Sequence, residues 1–318
     1  MEDFSHFTTP VVLCVFNRPE TTQEVFEVVA KVRPKKLYIL ADGPRKNNAN
    51  DVVKCQEVRA IFDQINWDCD LTKIYAEENV GIRNNIPNGL NQVFKREEQA
   101  IILEDDIIPD LSFFNYCEEL LDRYKNDDRI AMISGYNDQL GISRTECSYF
   151  FSRHTHIWGW ATWRRAWKFY DVDAKIWKNI NQNKYLDSVT IDKDERKHWQ
   201  RSIGNVLSNK HPGWDAQWTV AVWSQNMLAI LPNKNLIKNI GFGQDATHNH
   251  TSNTMNSFTE SSAMQFPMQH PEIILPNTEA DKFSARIFFT SSIPRKILRK
   301  IFGRNLNLIM NFYQKIPF

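Results

Sequence analysis

Apolar and polar positions follow two rhythms along the first half of this chain. Residues 10–16 form an unbroken apolar run, the pattern of a strand covered on both faces, and the run stops at Asn17-Arg18-Pro19. Val25, Val28, Val29 and Val32 then recur at helical spacing. Residues 37–41 predict a second strand, closed by the turn signal Asp42-Gly43-Pro44. A helix over 52–65 and a short strand at 74–76 follow, and 79–83 reads as a loop entering a helix that ends near Phe94. Residues 100–103 predict a fourth buried strand. Phe113, Phe114, Cys117, Leu120, Leu121 and Tyr124 share one helical face, and 130–134 predicts a fifth strand. Strands alternating with helices at this pitch predict an α/β fold, a mostly parallel sheet with helices on both faces.

After about residue 140 the texture changes. Trp158, Trp160, Trp163 and Trp167 crowd into one short block. Helices are expected over 194–208 and 216–225, with short strands at 228–231 and 236–239. Residues 249–269 are rich in Ser, Thr, Asn and Met and read as a linker. Near the end Arg295, Lys296, Arg299, Lys300 and Arg304 alternate with Ile297, Leu298, Ile301 and Phe302. This basic amphipathic extension reads either as a membrane-surface helix or as one docked on the protein itself.

Composition narrows the functional classes. With 39 basic and 38 acidic residues among 318, the net charge of +1 gives no global attraction to nucleic acid. Cys14, Cys55, Cys69, Cys117 and Cys147 contain no C-x-x-C pair, so neither a zinc knuckle nor a disulfide framework is expected, and a reducing, cytoplasmic setting is. No leader peptide is expected at the start, and no run reaches the roughly 18 apolar residues that span a bilayer.

The candidate chemistry gathers at strand ends. Arg18, Asp42 and the triplet Glu104-Asp105-Asp106 each follow a predicted strand, and parallel sheets bind ligands at the carboxyl ends of their strands. Three adjacent carboxylates repel one another unless a cation relieves them, and Mg2+ or Mn2+ takes such oxygen ligands. Alternation along an extended segment would put Glu104 and Asp106 on one side and Asp105 on the other. A solvated acidic loop has the same composition. The apolar residues on both sides, 100–103 and Ile107-Ile108-Pro109, argue for a site instead.

The stretch Ile101-Ile102-Leu103-Glu104-Asp105-Asp106, followed by Pro109-Asp110-Leu111-Ser112-Phe113-Phe114, resembles the nucleotide-sugar site of the N-acetylglucosaminyltransferases that initiate complex N-glycans. It is also similar to bacterial surface-polysaccharide transferases of the same GT-A type. The likeness runs from Val11 to about His248. It implies a GT-A-like nucleotide-diphospho-sugar transferase fold, with a catalytic domain over 1–250, its donor site within 10–140 and its acceptor side within 141–250. Residues 251–318 would then be linker and helical tail. The resemblance further implies that Arg18 meets the diphosphate, Asp42 the uracil, and Glu104 and Asp105 the ribose and donor sugar. Asp106 would be the direct metal ligand, for Mn2+ or Mg2+. Trp214-Asp215 resembles the family's tryptophan-aspartate pair, with Asp215 as catalytic base and Trp214 on the donor side. Gly241-Phe242-Gly243 with His248 is similar to a segment that closes over the diphosphate.

The implied reaction moves a hexose or N-acetylhexosamine from a UDP-sugar to a glycan hydroxyl, with inversion, in capsule, O-antigen or lipooligosaccharide assembly. A lipid-linked acceptor would give the basic tail a use at the inner membrane face. Two residue types keep a second reading. Asp215 also suits an N-cap for a helix starting at Ala216, and Trp158 and Trp160 suit either sugar stacking on the acceptor side or core packing. The enzymatic rivals are a sugar nucleotidyltransferase, whose Gly-rich phosphate loop has no counterpart at Asn17-Arg18-Pro19, and a metal-dependent phosphohydrolase. A carbohydrate-binding module built on the tryptophans is the non-enzyme rival.

Overall fold

Val11–Val15 forms β1, and every one of its five side chains is buried. The strand's pleat sends them to two different places. Val11, Leu13 and Val15 enter a core shared with Val25, Phe26 and Val29, and with Phe113 and Phe114. Val12 and Cys14 enter a second core with Ile86, Leu90 and Val93. Burial on both faces is why the run shows no polar alternation, and each such side chain is worth roughly 1.5–3 kcal/mol out of water.

The computed structural model describes residues 3–178, 182–241 and 260–289. Its strands are β1, β2 (Lys36–Ala41), β3 (Asp70–Tyr75), β4 (Gln99–Glu104), β5 (Ile107–Pro109), β6 (Ile130–Ser134), β7 (Tyr149–Ser152), β8 (Trp160–Trp163), β9 (Leu228–Pro232) and β10 (Ile237–Asn239). The α-helices are α1 (Pro19–Val32), α2 (Ala49–Ile61), α3 (Ile82–Arg96), α4 (Ser112–Arg123), α5 (Arg164–Trp167), α6 (Gln182–Val189), α7 (Lys193–Leu207), α8 (Asp215–Ser224) and α9 (Thr278–Phe288). Eight strands make one sheet in the order β3-β2-β1-β4-β8-β6-β9-β7, and β5 pairs with β10 in a separate two-stranded ribbon. β1 is parallel to both β2 and β4, while β8 is antiparallel to β4 and β6, and β7 to β9. The fold is therefore mixed α/β on a large, mostly parallel sheet. α1, α2 and α4 cover one face, and α3, α5 and α8 the other.

The tryptophan block carries a strand that the sequence pattern does not predict. β8 slots between β4 and β6, pairing Ile102 with Trp160 and Ser134 with Trp160 from its two edges. Trp160 faces the second core and Trp163 the first, so the W-A-T-W segment obeys the strand period although it reads as one aromatic cluster.

Residues 260–289 join the same fold, in a stretch expected to be linker and tail. Met264 and Met268 enter the first core. Asn277 caps α9 by accepting from the Ala280 N–H at 3.0 Å, and Ala280, Phe283 and Ile287 are buried. No described helix is long and apolar enough to cross a membrane. The basic segment bearing Arg295, Lys296, Arg299 and Lys300 lies outside the described residues, as does His248.

Candidate functional site

β1 has β2 and β3 on one side and β4, β8, β6, β9 and β7 on the other. The chain's strand order reverses there, and such a switch point leaves a crevice beyond the carboxyl ends of the strands. A cleft of about 170 Å³ opens at this position, lined by Cys14, Phe16 and Arg18 after β1, Asp42 after β2, Asn79 and Gly81 before α3, and Glu104 and Asp105 after β4.

Arg18 organises the acidic triplet. Its Nη1 donates to Asp106 Oδ2 at 2.9 Å, its Nη2 to Asp105 Oδ1, and its Nε to Asp105 Oδ2 at 3.4 Å. The chain turns at Asp105-Asp106 between β4 and β5, so the alternation expected of an extended segment gives way and both carboxylates reach one guanidinium. Asp105 is buried and Glu104 partly so. The charges do not balance. Burial opposes charge on Arg18, yet Asp105 and Asp106 override it and raise the guanidinium's pKa. Burial, followed by the charges of Asp106 and Asp105, pushes the Glu104 carboxyl well above the usual carboxylate range. Burial likewise raises Asp105, and Arg18 offsets only part of that. One cation among three carboxylates is over-served, and the carboxylates are under-served.

The remaining residues take specific positions. Asp42 lines the cleft, but its carboxylate is occupied by the chain: it accepts from the N–H groups of Gly43 (2.8 Å), Val80 (2.9 Å) and Gly81 (3.0 Å), and from Asn79 Nδ2 (3.0 Å). It is thus the anchor that folds residues 79–81 around the cleft, with Gly81 at φ 76° and ψ 154° starting α3. β10 runs antiparallel to β5 and delivers Gly241 onto Asp106: the Ile240 N–H donates to the Asp106 carbonyl at 2.9 Å. A Cβ on Gly241 would stand 2.0 Å from Asp106 Oδ2, so this backbone can press on the carboxylate only as glycine.

Asp215 is exposed, at the first turn of α8, and its negative charge adds to those raising Glu104. The alternative cap role is not taken up: Trp214 is the N-cap residue, and no side chain caps this helix. Gly213 packs so closely that a Cβ there would lie 2.6 Å from Asp215 Oδ1.

Two of the tryptophan expectations need correction. Trp160 has no exposed surface, and Trp214 is 2% exposed. Their rings stack at 5.6 Å, with Trp218 5.7 Å from Trp160, inside the second core. Neither offers a face to a sugar, because the strand pairing of β8 turns Trp160 inward and the start of α8 lays Trp214 over it. Trp158 is partly exposed, 4.8 Å from Tyr136, and lines a second cavity of about 250 Å³ together with His154, His156, His198 and Asp215. Sequence reasoning missed Glu195, Asp138 and Asp281, which form a buried network with His154 and His156 behind this cavity. His154 Nε2 is 2.8 Å from Glu195 Oε1, and His156 Nε2 is 3.2 Å from Asp138 Oδ2. The acids lie far along the chain from the histidines, and no local spacing announces them.

As for a metal, no group of three His, Cys, Asp or Glu side chains among the described residues is arranged to hold one alone. The excess negative charge at Glu104, Asp105 and Asp106 nonetheless suits a divalent cation that takes one carboxylate and completes its shell with ligand oxygens.

A comparison with protein-family models returns no match, and neither does one with curated proteins. Among solved structures, apo mouse xyloside xylosyltransferase 1 aligns with a TM-score of 0.36 at 9% identity, over 69% of this chain and 84% of that one. Apo UDP-glucose pyrophosphorylase aligns at 0.35 and 7% identity, over 71% and 90%. HddC from Yersinia pseudotuberculosis aligns at 0.28 and 8%, over 45% of this chain and 59% of its own length. At these scores the likeness carries no argument about chemistry.

Proposed function

We propose that the protein is a glycosyltransferase that binds a UDP-sugar through a divalent cation and passes the sugar, with inversion, to a glycan hydroxyl. One observation carries this reading: a charge-unbalanced carboxylate triplet sits at the strand switch point of a mostly parallel sheet, with Arg18 on one side and the Gly241 backbone on the other. Asp106 is the metal-holding residue, being the more exposed of the two Arg18-bound carboxylates (17% against 4%). A cation there would supply charge relief to the departing diphosphate. Arg18 adds a donor fork that suits phosphate oxygens once it swings from Asp105. Asp42 acts through the loop it anchors, and Glu104 faces the donor.

The chemical step needs a base on the acceptor oxygen. Asp215 fills that role: it takes the acceptor hydroxyl proton as the oxygen bonds to the anomeric carbon and the bond to the diphosphate breaks. Its exposure keeps it ready for an incoming hydroxyl, and its charge already reaches Glu104 across the cleft.

The decisive experiment is calorimetric titration of UDP and GDP into the protein with and without Mn2+, repeated on Asp106→Ala. UDP binding that requires Mn2+ and weakens by about 10–100-fold in the variant is the expected result. Equal affinity with and without metal, or in the variant, sinks the reading.

A further inference from the structure

The second cavity has a chemistry of its own. Its roof comes from α9 through Ser284 and Phe288, with Phe289 just beyond, and its floor from α8 and the 154–158 segment. Asp215 lines the cavity, and its charge is also felt by Glu104 in the donor cleft. Trp199 and Phe289, with ring centres 5.9 Å apart, pack on each other as one apolar wall. Hydroxyls stand among them, with Thr155 Oγ1 and Thr219 Oγ1 2.6 Å apart. Burial, with Arg201 nearby, lowers the His198 pKa below its ordinary value, so at neutral pH its imidazole offers one donor and one acceptor.

Charge around the cavity has one sign in excess. His154 and His156 face Glu195, Asp281 and Asp138, and Asp215 adds a fourth carboxylate. No lysine or arginine lines the cavity among the described residues. His154 is 4% exposed, and its Nδ1 has no hydrogen-bond partner, a polar atom left over beside the space it lines.

We infer that this cavity is the acceptor subsite and that it takes an uncharged pyranose unit, excluding sugars that carry a carboxylate or phosphate. The apolar wall suits the C–H face of a sugar ring, and the threonines and imidazoles suit its hydroxyls. An anionic group would enter beside Asp215 with no lysine or arginine lining the cavity to pair with it, since His154 and His156 already face Glu195, Asp281 and Asp138, a repulsive element of the kind that sets specificity. The inference rests on the glycosyltransferase reading, because Asp215, the proposed base, lines the cavity.

Ligand-observed NMR on the full chain separates the two ideas. The probes are methyl glycosides of glucose, galactose and N-acetylglucosamine, each against the matching uronic acid glycoside, with UDP and Mn2+ as an independent arm. At least one neutral glycoside should bind, and no uronic acid glycoside should. Thr155→Phe, which fills the space, should weaken that binding beyond about tenfold. His198→Ala should weaken it about fivefold, the worth of one neutral hydrogen bond. Unchanged thermal midpoints show that the variants fold. Uronic acid glycosides binding as well as neutral ones, no glycoside binding at all, or unaltered binding in folded variants overturns the inference. Failure of UDP to bind, with neutral glycosides still bound, overturns the transferase reading instead.

Discussion

The strand-end half and the second-cavity half of this molecule handle buried charge in opposite ways. At the carboxyl ends of β1 and β4, three carboxylates share one arginine and remain short of positive charge. Behind the second cavity, two histidines are matched to acids on separate elements: Glu195 on α7, Asp281 on α9, and Asp138 after β6. Burial alone would lower His154, but the Glu195 hydrogen bond and the Asp281 and Asp138 charges outweigh it and bring its pKa up to about 9. The first arrangement leaves negative charge uncompensated. The second is closed on itself and holds the fold together. Buried charge at a site and buried charge in a frame differ in whether the protein completes the pairing.

Substitutions can break that contrast, beginning with the largest effect. Asp215→Asn should lower kcat by about a thousandfold while UDP affinity stays the same, since only the proton acceptor is removed. Steady-state kinetics beside calorimetry checks this, and a kcat within a few-fold of wild type removes Asp215 from the chemistry. Asp105→Ala should cost about 3 kcal/mol of stability in chemical denaturation, because it strips the buried partner from Arg18. A cost near zero would mean that Asp106 alone satisfies the guanidinium.

His154 gives a pH signature on the other side. Its folded pKa of about 9 lies above the ordinary 6.5, so its contribution is complete below 6.5 and is lost as pH rises through 9. A loss of about 3 kcal/mol is expected across that window. His154→Gln should flatten the fall in thermal midpoint between those pH values; a wild-type profile retained in the variant would assign it elsewhere. The smallest effect is expected from Gly241→Ala, about 1 kcal/mol of stability from the clash with Asp106. It should also weaken UDP binding while leaving glycoside binding alone, which sharpens the separation of the two halves.

The legibility of the sequence divides along the same line. β1, β2 and β4 are visible as apolar runs because both of their faces are covered, and the residues ending them mark the cleft. What the runs do not encode is the turn at Asp105-Asp106, which brings both carboxylates to Arg18. β7 and β8 are four residues each, too short for periodicity to separate from an aromatic cluster. The insertion of β8 between β4 and β6 is a long-range event with no local signature. α9 hides for another reason. Its anchors, Gln139, Ser152 and Arg153, lie more than a hundred residues earlier, and only Asn277 at its start is a local cue.

That inserted strand has a consequence for how the chain is made. β6 meets the rest of the sheet only through β8 and β9, so a nascent polypeptide that has reached Ser134 holds a finished β3-β2-β1-β4 ribbon and an orphan strand. Until Trp163 leaves the ribosome, β4 presents a bare hydrogen-bonding edge of buried-type residues, the surface on which unfinished chains stick to one another. The tryptophan segment is in this sense a keystone laid late. Truncations ending between β6 and β8 should be insoluble.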